Sequence, residues 1–364
     1  MLLCKFFYII ILTLFFVSGY SQQNMDTIYG NPKSVREKVE FLNRKMLKKS
    51  IENYGNIFRN TSIYRSKSLS NFLRNMHESH INCSREFNTD GLKIYEEWFD
   101  ISGVTERRFY FKYDNNKNLI EEKEVYFDDE YSVRKLHYNK KGKLIASSYY
   151  NSWEPNEFVH RYYIRNVNGI VIKTISIDED GEPNSIENVL GQNGNVVRII
   201  KNYTPNWISE DNTEIHTTKS ISILKEFDYD KNGNKTHQLN YNTSEDRVYS
   251  KYAFKYDNEN RLVEEIVYPY PNDSSKHNRT LFEYNKSGFI VYQRQLRSMD
   301  SLRNKSIQIF YNSDNFIVKS IVDEVYNINY KYKFDKKGNW TAITKIVNDE
   351  PLYVWTRKIK YYKD

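Results

Sequence analysis

The residues in this 364-residue chain that could do chemistry are few and scattered. His77, His80 and Cys83 stand at intervals of three, so a helix would align two imidazoles and a thiol on one face. Zinc accepts those ligand types. No fourth ligand stands nearby, however, and a helix would have to run as far as Cys83, so a solvated helix end is the competing reading. Asp178-Glu179-Asp180-Gly181-Glu182 and Asp230-Lys231-Asn232-Gly233-Asn234 have the outline of calcium loops. At the twelfth position, where a bidentate glutamate belongs, they hold Val189 and Tyr241, and turn chemistry explains them more simply. The other histidines are dispersed, and no nucleophile elbow, His-Glu-x-x-His or phosphate loop occurs. A glycosidase-type carboxylate pair could still be assembled by folding. On this basis neither catalysis nor a cofactor is expected.

Aromatic stacking is the remaining option. Trp98, Trp153, Trp207, Trp340 and Trp355 are candidates for a platform on which sugar rings stack, against the alternative that they pack across strands.

What positions these residues is a repeated phrase: an aromatic, Asp or Asn, two polar residues, Gly or Asn, then an apolar residue two places on. It reads Tyr138-Asn139-Lys140-Lys141-Gly142-Lys143-Leu144 and returns around Asp230 and Gly233, Asp257 and Asn260, Asn285 and Gly288, Asn312 and Asn315, and Asp335 and Gly338. From Tyr229 the aromatics step by 27, 28, 27 and 23 residues. A fixed period of this size marks a repeat architecture. Before each turn aromatics alternate, as in Tyr252, Phe254 and Tyr256, the period of a half-buried strand. Asp or Asn at the first turn position bonds the backbone two residues on, and Gly supplies the left-handed residue after a type I turn. The unit is therefore a hairpin closed by a bulge. Asn260 and Asn315 tolerate the left-handed position, whereas Lys117, three residues after Asp114, fits it poorly and suggests a one-residue shift. Weaker copies lie at Leu190 to Val196 with Gly194, at Ile177 to Glu182, and at Phe87 to Gly91. Insertions at 151–156, 204–218 and 269–279 are expected to be longer surface loops.

Phe111-Lys112-Tyr113-Asp114, Phe227-Asp228-Tyr229-Asp230 and Phe254-Lys255-Tyr256-Asp257 resemble the YD repeats of the RHS and wall-associated protein families. The arginine of that unit survives only as Arg261. The resemblance covers about residues 81–364. It implies a mainly β fold: an array of antiparallel hairpins in a long, twisted, curled sheet, with no implied toxicity. More than a dozen strands would curl in any case, since twisted open sheets rarely exceed ~10 strands. Residues 354–362 are expected to end as a strand that caps the sheet edge with Lys358, Lys360 and Lys363. Residues 22–80 form a separate N-terminal segment. There Val35, Val39 and Phe41 suit a strand, Val35, Val39, Leu42 and Met46 suit a helix, and 68–76 suits a short helix.

The start of the chain reads as an export signal: Lys5, the apolar run Phe6 to Val17, and small residues ending at Ser21 before a cleavage site. The run is shorter than the roughly 20 residues that span a bilayer, and no later segment suits a membrane. Cys83 alone remains after cleavage, so no internal disulfide is expected. The formal net charge of +7 comes from interleaved Lys and Glu, without the clustered basic stripe of a nucleic-acid binder. With 32 Tyr and 20 Phe against 13 Gly and 7 Pro, the chain has ample material for pleated strands. The expected role is non-enzymatic binding or scaffolding at the periplasm, cell surface or outside the cell, with a glycan or an envelope protein as partner. A shell that encloses a partner and an enzyme acting on polysaccharide are the alternatives.

Overall fold

The computed structural model describes residues 28–42, 82–99, 103–126, 128–179, 181, 183–203, 206–208, 215–217, 220–242, 247–299 and 304–363. His77, His80 and the short helix expected at 68–76 lie outside these residues.

The described residues are all strand and turn. The chain opens with β1 (Pro32–Phe41), β2 (Asn82–Phe87), β3 (Lys93–Phe99), β4 (Thr105–Tyr113), β5 (Leu119–Tyr126) and β6 (Tyr131–Tyr138). Next come β7 (Leu144–Asn151), β8 (Phe158–Arg165), β9 (Val171–Ile177), β10 (Pro183–Leu190), β11 (Val196–Tyr203), β12 (Asn206–Ile208) and β13 (Ile215–Thr217). The second half holds β14 (Ser220–Tyr229), β15 (Lys235–Asn242), β16 (Arg247–Tyr256), β17 (Leu262–Tyr268), β18 (Asn278–Tyr284) and β19 (Ile290–Arg297). It ends with β20 (Lys305–Tyr311), β21 (Ile317–Val322), β22 (Tyr326–Phe334), β23 (Trp340–Val347) and β24 (Glu350–Tyr361).

Each strand pairs antiparallel with the next in sequence, β11 passing directly to β14 while β12 and β13 form a small separate hairpin. The sheet does not end in free edges. β1 pairs with β2 on one side and with β24 on the other, from Val35 opposite Ile359 to Phe41 opposite Tyr353. The 22 strands therefore form a closed barrel. This corrects the open curled sheet. It also corrects the edge-capping role of the last segment, because β24 completes a ring, which removes the edges altogether. Residues 32–41, grouped by sequence with the N-terminal segment, are one strand of that ring.

The repeated phrase makes ten tight turns at one rim, joining each even-numbered strand from β2 to β22 to its odd-numbered successor, β12 and β13 aside. In each, the first residue's N–H donates to the carbonyl four residues on, and the N–H three residues on donates back. The side-chain oxygens of Asp114, Asn139, Asp230, Asp257, Asn285, Asn312 and Asp335 accept the N–H groups two and four residues ahead. Gly142, Gly194, Gly233, Gly288 and Gly338, and likewise Asn260 and Asn315, have positive φ. Lys117 does too, at φ 65°, so this copy is in register and carries an ill-suited residue at its left-handed position. One copy escaped the sequence reading: Asn166 to Ile170 is a full turn, hidden because Arg165 stands in the aromatic slot. Conversely, Asp178 to Gly181 lies at the opposite rim, between β9 and β10. The insertions at 151–156 and 269–279 also lie at that opposite rim, and the one at 204–218 falls between β11 and β14 and holds β12 and β13.

The preference for Tyr in the phrase has a specific cause. A bulge beside each turn takes a carbonyl out of the ladder, and a buried carbonyl needs a donor. The next repeat's tyrosine supplies it: Tyr113 Oη to Lys93 O, Tyr229 to Val196, Tyr256 to Lys235, Tyr284 to Leu262 and Tyr311 to Ile290, at 2.7–3.0 Å. Arg165 does the same work for Leu144 O at 3.2 Å, and Asn188 for Val171 O at 2.9 Å. Tyr362 carries the ladder across the closure, bonding Phe87 O at 2.7 Å.

Because directly paired residues share a face, one face can be followed around the whole ring. On β1 and β24 it is the buried one (Val35, Glu37, Val39, Tyr353, Trp355 and Arg357), while Arg36, Lys38, Lys358 and Lys360 on the other face are exposed. The buried face points inward. It is most densely packed along β20 to β24 and β1, where Ile307, Ile317, Ile328, Ile343, Leu352 and Tyr353 form the main core. Cys83, Trp98 and Phe109 continue it onto β2 to β4.

Candidate functional site on the inward face

The inward face has two electrostatic characters. Around the closure each inward arginine has a counter-charge, and the buried Lys345 lies over the Tyr353 ring, 5.7 Å from its centre. Glu37 accepts from Arg357 at 2.9–3.0 Å and also binds Arg85, and the Arg357 guanidinium lies 3.6 Å from the centre of the Trp340 ring. Next along the ring Lys93 meets Glu96, Arg107 meets Glu124 at 2.5 Å and Arg134 meets Glu122 at 2.5 Å. Neutral pairing of this kind is what burial of charge demands.

From β7 to β16 the inward strand positions hold no Asp or Glu, yet they include Arg161, Lys201, Lys225 and Lys235. Arg165 shares this face but is engaged with the Gly169 and Leu144 carbonyls. The neighbours include amides, hydroxyls, aromatic rings and the aliphatic Ile186 and Ile199. Cross-strand pairing sets Asn188, Ile199, Lys225, Asn240 and Ser250 in one row, and Ser147, Arg161, Ser176 and Asn184 in another.

A buried polar relay holds the centre of this sector. Lys235 Nζ donates to Gln238 Oε1 at 2.8 Å, Gln238 Nε2 to Asn240 Oδ1 at 2.8 Å, and Asn240 Nδ2 to Ser250 Oγ at 2.9 Å. The Lys235 ammonium also lies over the rings of Phe254 and Phe227, at 4.6 and 5.5 Å. Burial holds the Lys225 ammonium below its ordinary pKa. At Lys235 burial acts first and the Lys225 charge adds to it, with Glu265 pulling the other way. Glu265, across Phe254 on β17, is pushed up by burial and drawn back in part by Lys235. The arrangement is thus one of half-buried cations with polar neighbours fixed in place.

The structure separates the residues singled out by sequence. Trp98, Trp340 and Trp355 are only 3%, 3% and 5% exposed, and Trp340 packs edge-on against Trp355 with ring centroids 4.8 Å apart. These three are core residues and offer no stacking platform. Trp153 is 40% exposed, at the loop rim, against Tyr126. Trp207 lies on β12, outside the ring, and its side chain is not among those described. Cys83 sits on a strand, not a helix, buried with its Sγ 3.9 Å from Glu37 Oε2 and packed against Trp98 and Phe109. Among the described residues no group of three His, Cys, Asp or Glu side chains is placed to hold a metal ion. Sequence reasoning missed Lys225, Lys235, Gln238 and Asn240. The available signal was Gln and Asn at period-two positions of β15, where core residues were expected.

No protein-family model and no curated protein matches the chain. Among solved structures, a TcdB2-TccC3-TEV crystal structure aligns at 11% identity over 75% of this chain and 15% of that one, with a TM-score of 0.39. TcdB2-TccC3-Cdc42 aligns at 10% identity over 88% and 22% of the two chains, with a TM-score of 0.19. A porin-like protein from Bacteroides uniformis aligns at 8% identity over 90% and 96%, with a TM-score of 0.24. This chain spans about one seventh of the first of these, and the scores are too low to assign it a family or an activity.

Proposed function

We propose that the chain is an exported, non-enzymatic binding shell that holds its ligand against the inward face of the barrel. The observation that supports this reading is ring closure through β1 and β24. With no edge left to recruit another strand, recognition must use a face. A barrel of eight strands is just filled by its own side chains, so 22 strands circumscribe far more interior. Inward residues of β7 to β19 stay largely half-buried, in contrast to the dense packing beside the closure. The outward face alternates charges such as Arg36, Lys38, Lys331, Lys333, Lys358 and Lys360, which lipid would penalise, so an aqueous envelope or extracellular setting fits better than a lipid-spanning barrel.

The test uses a Cys83→Ser background carrying one fluorescently labelled cysteine, inward at Thr280→Cys or outward at Lys251→Cys. On titration with envelope extract, the inward label is expected to respond and the outward label to stay silent. A response confined to the outward label rejects the enclosure.

A further inference from the structure

We propose that Lys225 and Lys235 form an oxyanion-binding site on the inward face, taking the phosphate or carboxylate group of a ligand held inside the barrel. This rests on the enclosure reading and gives it a chemical class.

Geometry carries the inference. Both lysines lie on the inward face of neighbouring strands, and they bracket the directly paired Phe227 and Gln238. Lys235 is oriented by Gln238, which Asn240 and Ser250 fix in turn. Its ammonium is therefore placed in advance and loses little freedom on binding. Lys225 stands directly opposite Asn240, beside that relay, and forms no ion pair with a described residue.

The comparison with the rest of the ring is what singles the pair out. Arg85, Arg107, Arg134 and Arg357 share the same face, and each reaches a glutamate. Lys225 stands between Ile199 and Asn240, with no counter-charge among the described residues, and no inward carboxylate stands on any strand from β7 to β16. Burial lowers the proton affinity of both ammoniums, and at Lys235 repulsion from the Lys225 charge adds to it. An anion between them relieves that repulsion and adds charge-assisted hydrogen bonds. Glu265 reaches Lys235 from β17, across Phe254, whereas Lys225 stands on β14 on the other side of β15. Arg161 and Lys201 extend the same sign of charge across β8 and β11, so the anion meets an attractive field as it enters.

The experiment is NMR on the whole exported chain carrying lysine labelled with carbon-13 at Cε, titrated separately with inorganic phosphate, acetate and, as ionic-strength control, chloride. Phosphate or acetate is expected to move the Lys225 and Lys235 signals together and saturably, while outward Lys251 follows chloride alone. The anion that saturates at lower concentration identifies the ligand group. Lys225→Gln is expected to weaken the Lys235 response at least tenfold, and Lys251→Gln to leave it unchanged. The site is refuted if both anions act like chloride, or if Lys225→Gln leaves the Lys235 response intact. In that event a response from the label at position 280 still upholds the enclosure, so the two readings fail separately.

Discussion

Glu37 on the first strand and Arg357 on the last are 320 residues apart in sequence and meet at 2.9 Å, with side chains 2% and 0% exposed. The contact fastens the first and last described strands to each other across the closure of the barrel. Breaking a buried ion pair typically costs ~3–5 kcal/mol; here Arg85 still compensates Glu37 in part, but the Arg357 contact with the Trp340 ring is lost as well. Arg357→Met is therefore expected to shift the urea midpoint sharply downward. Lys358→Met, one residue on and facing outward, is expected to stay within about 0.5 kcal/mol of the parent.

The tyrosine ladder predicts a graded series. Tyr256→Phe, Tyr284→Phe and Tyr311→Phe each delete one hydroxyl-to-carbonyl bond and are expected to cost ~0.5–1.5 kcal/mol apiece in chemical denaturation. Tyr332→Phe is expected to exceed them, since Tyr332 is the more deeply buried and its partner, the Ile317 carbonyl, loses a 2.9 Å bond. Tyr110→Phe, on the exposed outward face, should change nothing measurable.

Backbone conformation at the turns gives two opposite predictions. Lys117 holds φ 65°, where a side chain is penalised, so Lys117→Gly is expected to stabilise by about 1 kcal/mol despite losing an exposed ion pair to Asp90. Gly233 has φ 82° and room for a methyl group, so Gly233→Ala should destabilise by about 1 kcal/mol for backbone reasons alone. Thermal unfolding of the two variants should move in opposite directions.

Acid should loosen the aspartate turns. At Asp335 burial alone would raise the pKa, but hydrogen bonds from Tyr361, Asn339 and Lys337 outweigh it and hold the carboxyl below its usual value. Asp230 and Asp257 follow the same balance; at Asp114 the Asn118 side chain contributes most to the lowering. A carboxyl depressed on folding stabilises above its unfolded pKa of about 4, and that contribution disappears as pH falls through the folded value. Between pH 6 and pH 3, Asp335→Asn should lose less stability than the parent. An equal loss in both proteins would contradict this.

Much of the fold was legible because local rules repeat. Asp or Asn followed three residues later by Gly dictates a turn wherever it stands, and the flanking alternation dictates strands. Closure was not legible: nothing local to Val35 or Ile359 says that they are partners, and the pairing depends on how twist accumulates over 22 strands. Arg165 hid a repeat because the slot it fills requires a donor for the Leu144 carbonyl, not an aromatic ring. The inward cations were illegible for a related reason. Lys225 and Glu226 fall on opposite faces by alternation alone, but only the pairing with Asn240 and Leu239 tells which of the two turns inward.

The separation of tight turns at one rim from insertions at the other has a consequence for how such a chain can change. One repeat is one hairpin, so gaining or losing a repeat alters the circumference by two strands, about 10 Å at the usual strand spacing. The first and last strands would still meet antiparallel, because the parity of the ring is preserved. The size of the interior can therefore drift in units while the closing contact between Glu37 and Arg357 keeps its geometry.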